Sequence, residues 1–288
     1  KDPGFIHTSS DGQKFDVSVS SLVAAPSFKY FGNGRGVTFY SFLDESGQLF
    51  YSTTFSAADP ESHYVIDGLT HNEVILPNAH STDTHGFSEP VFAVTGLLRI
   101  AFWPRFARFH HQQLYCIDEV RTYREQNYKI IPDAKINLAH LEEHWDDILR
   151  LVCTIKLGYS KASTLFRRLN SYSKQHPLYK ALKDLGRLYK TIYVYEYMDD
   201  EVIRKSVSGS LSKIESSNKF SKAIMVGNNQ ELIWATRKEQ LIAERCKALI
   251  ANSINTYNLM LLSENLVSAA SEEDKQVLLK KIIATSTQ

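Results

Sequence analysis

Cysteine is scarce: three residues, Cys116, Cys153 and Cys246, odd in number and far apart. That excludes a disulfide framework. Without a Cys-x-x-Cys pair there is no thiolate zinc module either, so the three thiols are expected to be reduced core residues of a cytosolic protein. Long apolar runs are missing too. The best candidate, LLRIAFW, is cut short by Pro104 and Arg105, far below the roughly 20 residues that cross a bilayer, so no membrane partner is expected. The opening KDPGFIHTSS carries neither a signal-peptide pattern nor an initiator methionine, which predicts a piece of something longer. The sequence has no G-x-x-x-x-G-K-[ST], no G-x-G-x-x-G and no G-x-S-x-G. FGNGRG has glycines but no strand–helix context and reads as a loop. No internal repeat or low-complexity tract is present.

A charge imbalance is also lacking: 33 Lys and Arg against 32 Asp and Glu give a formal net charge of +1. The balance conceals a segregation. Between Lys156 and Lys190 stand nine cations (156, 161, 167, 168, 174, 180, 183, 187, 190) and one acid, Asp184, just after the acidic group Glu142, Glu143, Asp146 and Asp147. Such a stretch suits a polyanion-binding surface, although solvated helix faces give the same pattern. What is abundant is apolar residues, 43% of 288, enough for the core of one large domain or two ordinary ones.

The amino-terminal part has strand character. Residues 5–15 form one strand-like run with Asp11-Gly12 near its end, and GVTFYSFL and LFYSTTFSA flank DESGQ as a hairpin. In ADPESHYVIDGL, Asp59 is placed to cap a helix and Pro60 to open it. EVILPNAHSTD supplies a further strand ending near Asp83, and SEPVFAVTGLLRI a helix capped by Ser88 with apolar residues at 91, 94, 97 and 98. Beyond YKIIPDAKIN the pattern turns helical. Asn137 caps a helix with the apolar face Leu138, Leu141, Trp145, Ile148, Leu149 and Val152, closed by Gly158, and further helices run through about 160–170, 177–198, 200–226, 237–262 and 271–284.

Asp11 and Asp83 each fall near the apparent end of a strand, the functional edge of an α/β sheet. Two aspartates on neighbouring strands present hard oxygens suited to Mg²⁺, and a third carboxylate from a packed helix would complete a two-ion phosphodiester site. Candidates for that third group are Glu215, flanked by Lys213, Lys219 and Lys222, and also Glu196, Glu201, Asp118 and Glu119. The ordinary reading stays open: Asp-Gly is a common turn pair, an aspartate before a helix is often a cap, and Glu beside Lys is a surface pattern. A rival set, His80, Asp83 and His85 with His110 and His111 downstream, could hold zinc, but no zincin or deaminase signature accompanies it.

The run HSTDTHGFSEPVFAVTGLLRIAFWPRFARFHHQQLY resembles the catalytic region of the Tn-three family of bacterial replicative transposases. Their marks are a threonine-aspartate-threonine segment before a helix, a phenylalanine-rich stretch, a proline-arginine pair (Pro104-Arg105) and a leucine-tyrosine pair (Leu114-Tyr115). The similarity continues in SSDGQKF upstream, and in the segment from HWDDILRLVCTIK to YVYEYM, SLSKIESSNKFSKAI and NSINTYNLM downstream, covering nearly the whole chain. It implies an α/β fold: an RNase H-like mixed sheet flanked by helices, with a large helical insertion before the last catalytic acid. By that division, residues 1–119 hold the first part of the core, 120–200 the insertion and 201–288 the helical completion. It also implies a DDE triad of Asp11, Asp83 and Glu215, all three acting as metal ligands for Mg²⁺ (Mn²⁺ as substitute), with two ions. The implied activity is 3′-end cleavage of transposon DNA by metal-activated water and attack of the freed 3′-hydroxyl on target DNA. The implied setting is a homodimeric full-length enzyme in the bacterial cytoplasm, on the nucleoid when bound to DNA. Arg105, Arg167, Arg168, Lys174, Lys213, Lys219 and Lys222 then become candidate DNA contacts. The alternative within the same resemblance is a silent DNA-binding fragment.

Overall fold

The structure is a computed structural model and describes residues 4–171, 176–269 and 271–286. It begins with alternating, β-branched and aromatic runs that pair as a sheet. Strand β1 (His7–Asp16) is followed by the two-residue β2 (Ala25–Pro26), a single helical turn α1 (Phe28–Phe31), and the hairpin β3 (Arg35–Leu43) and β4 (Leu49–Ser56). The DESGQ turn closes as expected: Gln48 N–H donates to Asp44 Oδ1 (2.8 Å) and Ser46 Oγ to the same oxygen (2.7 Å). Helix α2 (Ser62–Thr70), β5 (Ala79–Thr82), α3 (Glu89–Leu97) and β6 (Ala101–Phe102) follow. The sheet order is β2–β3–β1–β5–β6, with β4 also on β3. Pairs β1–β3 and β3–β4 are antiparallel, whereas β1–β5 and β5–β6 are parallel. A small parallel pair, β7 (Tyr115–Cys116) and β8 (Ala134–Lys135), brackets α4 (Val120–Glu125).

The rest is helical: α5 (Leu138–Glu143), α6 (Trp145–Lys156), α7 (Ala162–Asn170), α8 (Pro177–Asp199), α9 (Glu201–Ile224), α10 (Arg237–Val267) and α11 (Glu272–Ser286). Their starts have local causes. Asn137 accepts from His140 N–H (3.1 Å), Asp200 from Val202 N–H (2.7 Å), and Thr236 and Glu239 form a reciprocal capping box at the head of α10.

Four expectations need correction. The three cysteines are not all core residues: Cys116 is buried, but Cys153 and Cys246 are exposed. Asp11-Gly12 sits in the middle of β1 rather than at its end, because β1 continues along β3 after its pairing with β5 has stopped. Asp59 does not cap α2: its carboxylate accepts from the Tyr64 hydroxyl (2.6 Å) and Arg167 (3.1 Å), and Glu61 holds the cap position. The helix expected from Leu138 to Val152 breaks at His144, so Trp145 and Leu149 stand 39% and 38% exposed instead of facing the core.

Strand periodicity gives the sheet two unlike faces. One carries Tyr40 and Phe42 and is covered by α2 and α3. Its core runs without a break into the later helices, uniting Phe55, Ile66, Val91 and Phe92 with Ile148, Phe166, Leu182 and Val194. Phe55 and Tyr64 stack face to face at 3.7 Å. Helices α3 and α8 approach closely at Gly186, where a Cβ would overlap the Glu89 carbonyl. The other face, with Asp11 and Ser41, lies under α9 and α10 and holds two smaller apolar clusters, one around Leu43, Leu211 and Ile214 and one around Phe15, Phe39 and Leu232. Among the described residues no helix is long and apolar enough to cross a membrane.

Candidate metal centre

The parallel ladder of β1 and β5 ends at Ser10 opposite Thr82. Asp11 and Asp83 are the next residues of each chain, so two adjacent strands, about 4.8 Å apart, deliver two carboxylates in the same register. Oxygens of Asp11, Asp83 and a third acid, Glu61, all lie within 4.8 Å of one another. The expectation that Asp11 and Asp83 would come close enough to share a cation is met. The third member at hand is one the sequence reading did not name.

Each carboxylate is fixed differently. Asp83 Oδ1 accepts from the N–H groups of His85 (2.9 Å) and Gly86 (3.1 Å), so it orders the loop before α3 and leaves the α3 cap alone. Asp11 Oδ1 accepts from Gly12 N–H (2.8 Å), and Oδ2 from the buried Asn218 side chain (2.8 Å). Asn218 belongs to α9, and Gln13 Nε2 donates to its carbonyl (3.0 Å). Glu61 is 7% exposed and receives Lys14 Nζ (2.9 Å).

Burial, then the charge of Asp83, then that of Glu61, push the Asp11 carboxyl from its usual 3.8 up to about 7, against the opposing pull of Gly12 N–H and Asn218. Without a cation the group therefore holds a proton over part of its time at neutral pH. A cluster of hard oxygens that cannot all ionise alone is a donor set that fits Mg²⁺ or Mn²⁺.

Glu215 lies beside this group without joining it. Its carboxylate accepts from Arg105 (3.0 Å), both side chains being nearly half exposed. The Arg105 backbone N–H donates to Thr82 O (2.9 Å), which puts the pair at the end of β5, and Glu215 is three residues before Asn218 on α9. Of the other acids considered, Glu201 pairs with Lys205 (2.8 Å) and Glu119 with Lys135 (2.7 Å); neither these nor Glu196 and Asp118 belong to the cluster.

The zinc set does not assemble. His80 is wholly buried, with Nδ1 hydrogen-bonded to Thr8 (2.8 Å) and Nε2 to Ser10 (2.8 Å) and its ring stacked with Phe42. Burial drives its pKa down to about 3. His85, His110 and His111 are exposed, and among the described residues no histidine enters a group of three ligands.

The expected DNA contacts divide. Arg105 stands at the site, Arg167 is held by Asp59 (3.1 Å) and the Tyr64 hydroxyl (2.8 Å), and Lys213 donates to Glu45 O (2.9 Å). Arg168, Lys219 and Lys222 are exposed, and Lys174 lies outside the described residues. The cationic stretch is not one surface. Lys190 is buried beside the Tyr115 ring and Arg187 is paired with Asp184 (2.6 Å), because α8 turns one side into the core.

Comparison with known proteins places these residues in context. The family model described as the Tn3 transposase DDE domain matches residues 3–287. The chain belongs to that family. It is 33% identical over 257 residues to the transposase for transposon Tn1546 of Enterococcus faecium, covering 89% of this chain and 26% of that protein. The transposase for transposon Tn2501 of Escherichia coli is 31% identical over 262 residues, with 91% and 26% covered. The transposase for transposon Tn501 of Pseudomonas aeruginosa is 30% identical over 275 residues, with 94% and 28% covered. This Tn3-family domain thus spans about a quarter of the length of these relatives.

Three residues at the acidic cluster escaped the sequence reading: Glu61, Asn218 and Lys14. A signal for the first was present in Gly12. A glycine inside a strand marks a close approach, and here a Cβ would lie 2.6 Å from Glu61 Oε1.

Proposed function

We propose that this domain is the catalytic part of a DNA transposase, cutting DNA at transposon ends and joining the freed 3′-hydroxyl to target DNA. The observation that carries the reading is the pair Asp11 and Asp83, side by side where two parallel strands part, with Asp11 raised to about 7 by burial and by its acidic neighbours. The sheet supports it. Three antiparallel strands, β4–β3–β1, followed by two parallel ones, β5–β6, suit an RNase H-like fold, with residues 120–200 as its helical insertion.

Asp11 and Asp83 would hold the ions. Bound Mg²⁺ would activate a water or a DNA 3′-hydroxyl and stabilise the departing oxygen. The protein contributes position. Asn218 and the Gly12 N–H aim the Asp11 oxygens, and the His85 and Gly86 N–H groups aim those of Asp83. Arg105 places a guanidinium at the rim where a phosphate would lie, and Glu215, one turn from Asn218, is the carboxylate that completes the triad when Arg105 turns to DNA. Arg168, Lys219 and Lys222 extend the positive surface. Transposon ends and target DNA are the partners, in a homodimer of the longer enzyme in the bacterial cytoplasm.

The test is metal-dependent nicking of supercoiled DNA that carries the transposon ends. Asp11→Asn, Asp83→Asn and Glu215→Gln should each abolish nicking while leaving DNA binding, and chelator should do the same with rescue by Mg²⁺ or Mn²⁺. Nicking by Asp83→Asn at the wild-type rate would overturn the reading. DNA binding without nicking in any metal would leave the domain as a binding module only.

A further inference from the structure

We infer that Glu61 is a further ligand of this metal centre, supplied from the sheet face opposite the one that offers Glu215. The inference rests on the metal-site reading of Asp11 and Asp83 and goes beyond the triad. On β1, Asp11 and Gln13 point to the face covered by α9, where Asn218 meets both. Gly12 and Lys14 point the other way, to the face covered by α2. Glu61 is the residue at the head of α2, and its carboxylate reaches back over β1 to within 4.8 Å of both aspartates.

Two features show that the position is built. Gly12 provides the passage: any Cβ there would meet all three terminal atoms of the Glu61 carboxyl group, at 2.6, 2.7 and 2.8 Å. Lys14, two residues on and on the same face, holds Oε1 at 2.9 Å. A carboxylate meant only to neutralise Lys14 gains nothing from lying against Asp11 and Asp83, whose charges repel it. It also has no capping bond to make, since no N–H of α2 uses its side chain. Its location is accounted for by a cation among the three acids. Asp11 and Asp83 then form the floor of the site, Glu61 one wall and Glu215 the other. The two glutamates enter from helices on opposite sides of the sheet, so a DNA phosphate would approach along the remaining open edge.

The experiment is Mn²⁺ binding to the purified chain, followed by electron paramagnetic resonance of free Mn²⁺ and by the shift in thermal midpoint on adding the ion. Glu61→Gln should weaken Mn²⁺ binding at least tenfold and shrink the midpoint shift, and Gly12→Ala should do the same by pushing the carboxylate away. A structural role would lower the midpoint equally with and without Mn²⁺ and leave both the shift and the affinity unchanged. That outcome overturns the inference. Should Glu61→Gln fail to fold because Lys14 is left unpaired, the double variant Glu61→Gln/Lys14→Met carries the same test. Asp83→Asn is the reference. If it loses Mn²⁺ and Glu61→Gln does not, only the role of Glu61 falls. If the unaltered chain binds no Mn²⁺, the metal-site reading falls with it.

Discussion

The two faces of the sheet are built from the same strands and do opposite things. Under α2 and α3 the alternate residues are Tyr40, Phe42 and, on β4, Phe55, packed into one apolar cluster that continues through α8. Even the wholly buried His80 on this face has both ring nitrogens hydrogen-bonded. Under α9 and α10 the same strands present Asp11, Gln13 and Ser41, and the covering helix α10 brings Gln240, Glu244 and Lys247, all buried. Several polar atoms there lack a hydrogen-bond partner within the protein: Gln13 Oε1, Gln240 Oε1, Glu244 Oε2 and Lys247 Nζ. The first face is mostly packing, the charged pair Glu61 and Lys14 and the unpartnered Thr38 and Thr82 hydroxyls aside. The other keeps groups that burial disfavours, the usual mark of a functional surface.

The comparison breaks most visibly where packing is removed. Phe55→Ala loses the stack on Tyr64 and opens a cavity between β4 and α2, and should cost about 3–5 kcal/mol in urea denaturation. Asp83→Asn should cost far less on the same measurement, since it removes a repelling charge from the acidic cluster. Equal losses would mean that the acidic edge is structural after all.

On the polar face the next largest effect concerns the pair Lys247 and Glu244, 3.3 Å apart with both side chains fully buried. Lys247→Met alone leaves an unpaired buried carboxylate and should destabilise by about 3–5 kcal/mol, whereas Glu244→Leu/Lys247→Met should return stability to near that of the unaltered chain or above. A double variant as unstable as the single one would show that the pair itself holds α10 to the sheet.

Asp11 makes the difference between the faces depend on pH. Its carboxyl is raised from 3.8 to about 7 on folding, so the stability it contributes is fully present below about pH 4. That contribution falls as pH climbs toward 7, and above it the ionised group opposes folding. Three units set a ceiling of about 4 kcal/mol, reduced by partial solvation. In chelator, Asp11→Asn should flatten the loss of stability between about pH 4 and 7, and Mn²⁺ should flatten it in the unaltered chain. A parallel pH profile for both proteins would remove Asp11 from the acidic cluster.

Much of this was legible in residue order. The hairpin at DESGQ, the cap at Asn137 and the long carboxy-terminal helices follow from local chemistry and are present, while Ser88 stands at the head of α3 without a side-chain capping bond. Asp11 and Asp83 were readable as a pair near two strand ends, with the turn and cap readings open, and their assignment as metal ligands came from the resemblance to the transposase family. Glu61 was not, because its place beside Asp11 depends on a close approach to Gly12, 49 residues earlier. The break at His144 and the burial of Lys190 were hidden for the same reason: which side of a helix is covered is decided by a distant partner, here the packing of α8 against α3 and β7. His80 stayed a rival candidate in the sequence because a ligand-type residue and a hydrogen-bonded core residue look alike until both ring nitrogens are accounted for.

The smallest effect on stability belongs to Arg105, and it sharpens the comparison from the solvent side. Its pair with Glu215 is close to half exposed on each partner, and such pairs contribute about 0–1 kcal/mol. Arg105→Ala should therefore leave the denaturation midpoint almost where it was. DNA binding should respond differently. If Arg105 faces a phosphate, its loss removes one released counterion, and the slope of log affinity against log salt should drop by about 0.9 for duplex DNA. Arg167→Ala is the contrast, because Asp59 and the Tyr64 hydroxyl already hold that guanidinium; it should cost more stability than Arg105→Ala and change the salt slope less. The measurement is a fluorescence-anisotropy titration of a duplex at four or five salt concentrations for both variants. An unchanged slope for Arg105→Ala beside a reduced slope for Arg167→Ala would move the DNA path away from the end of β5 and toward α7.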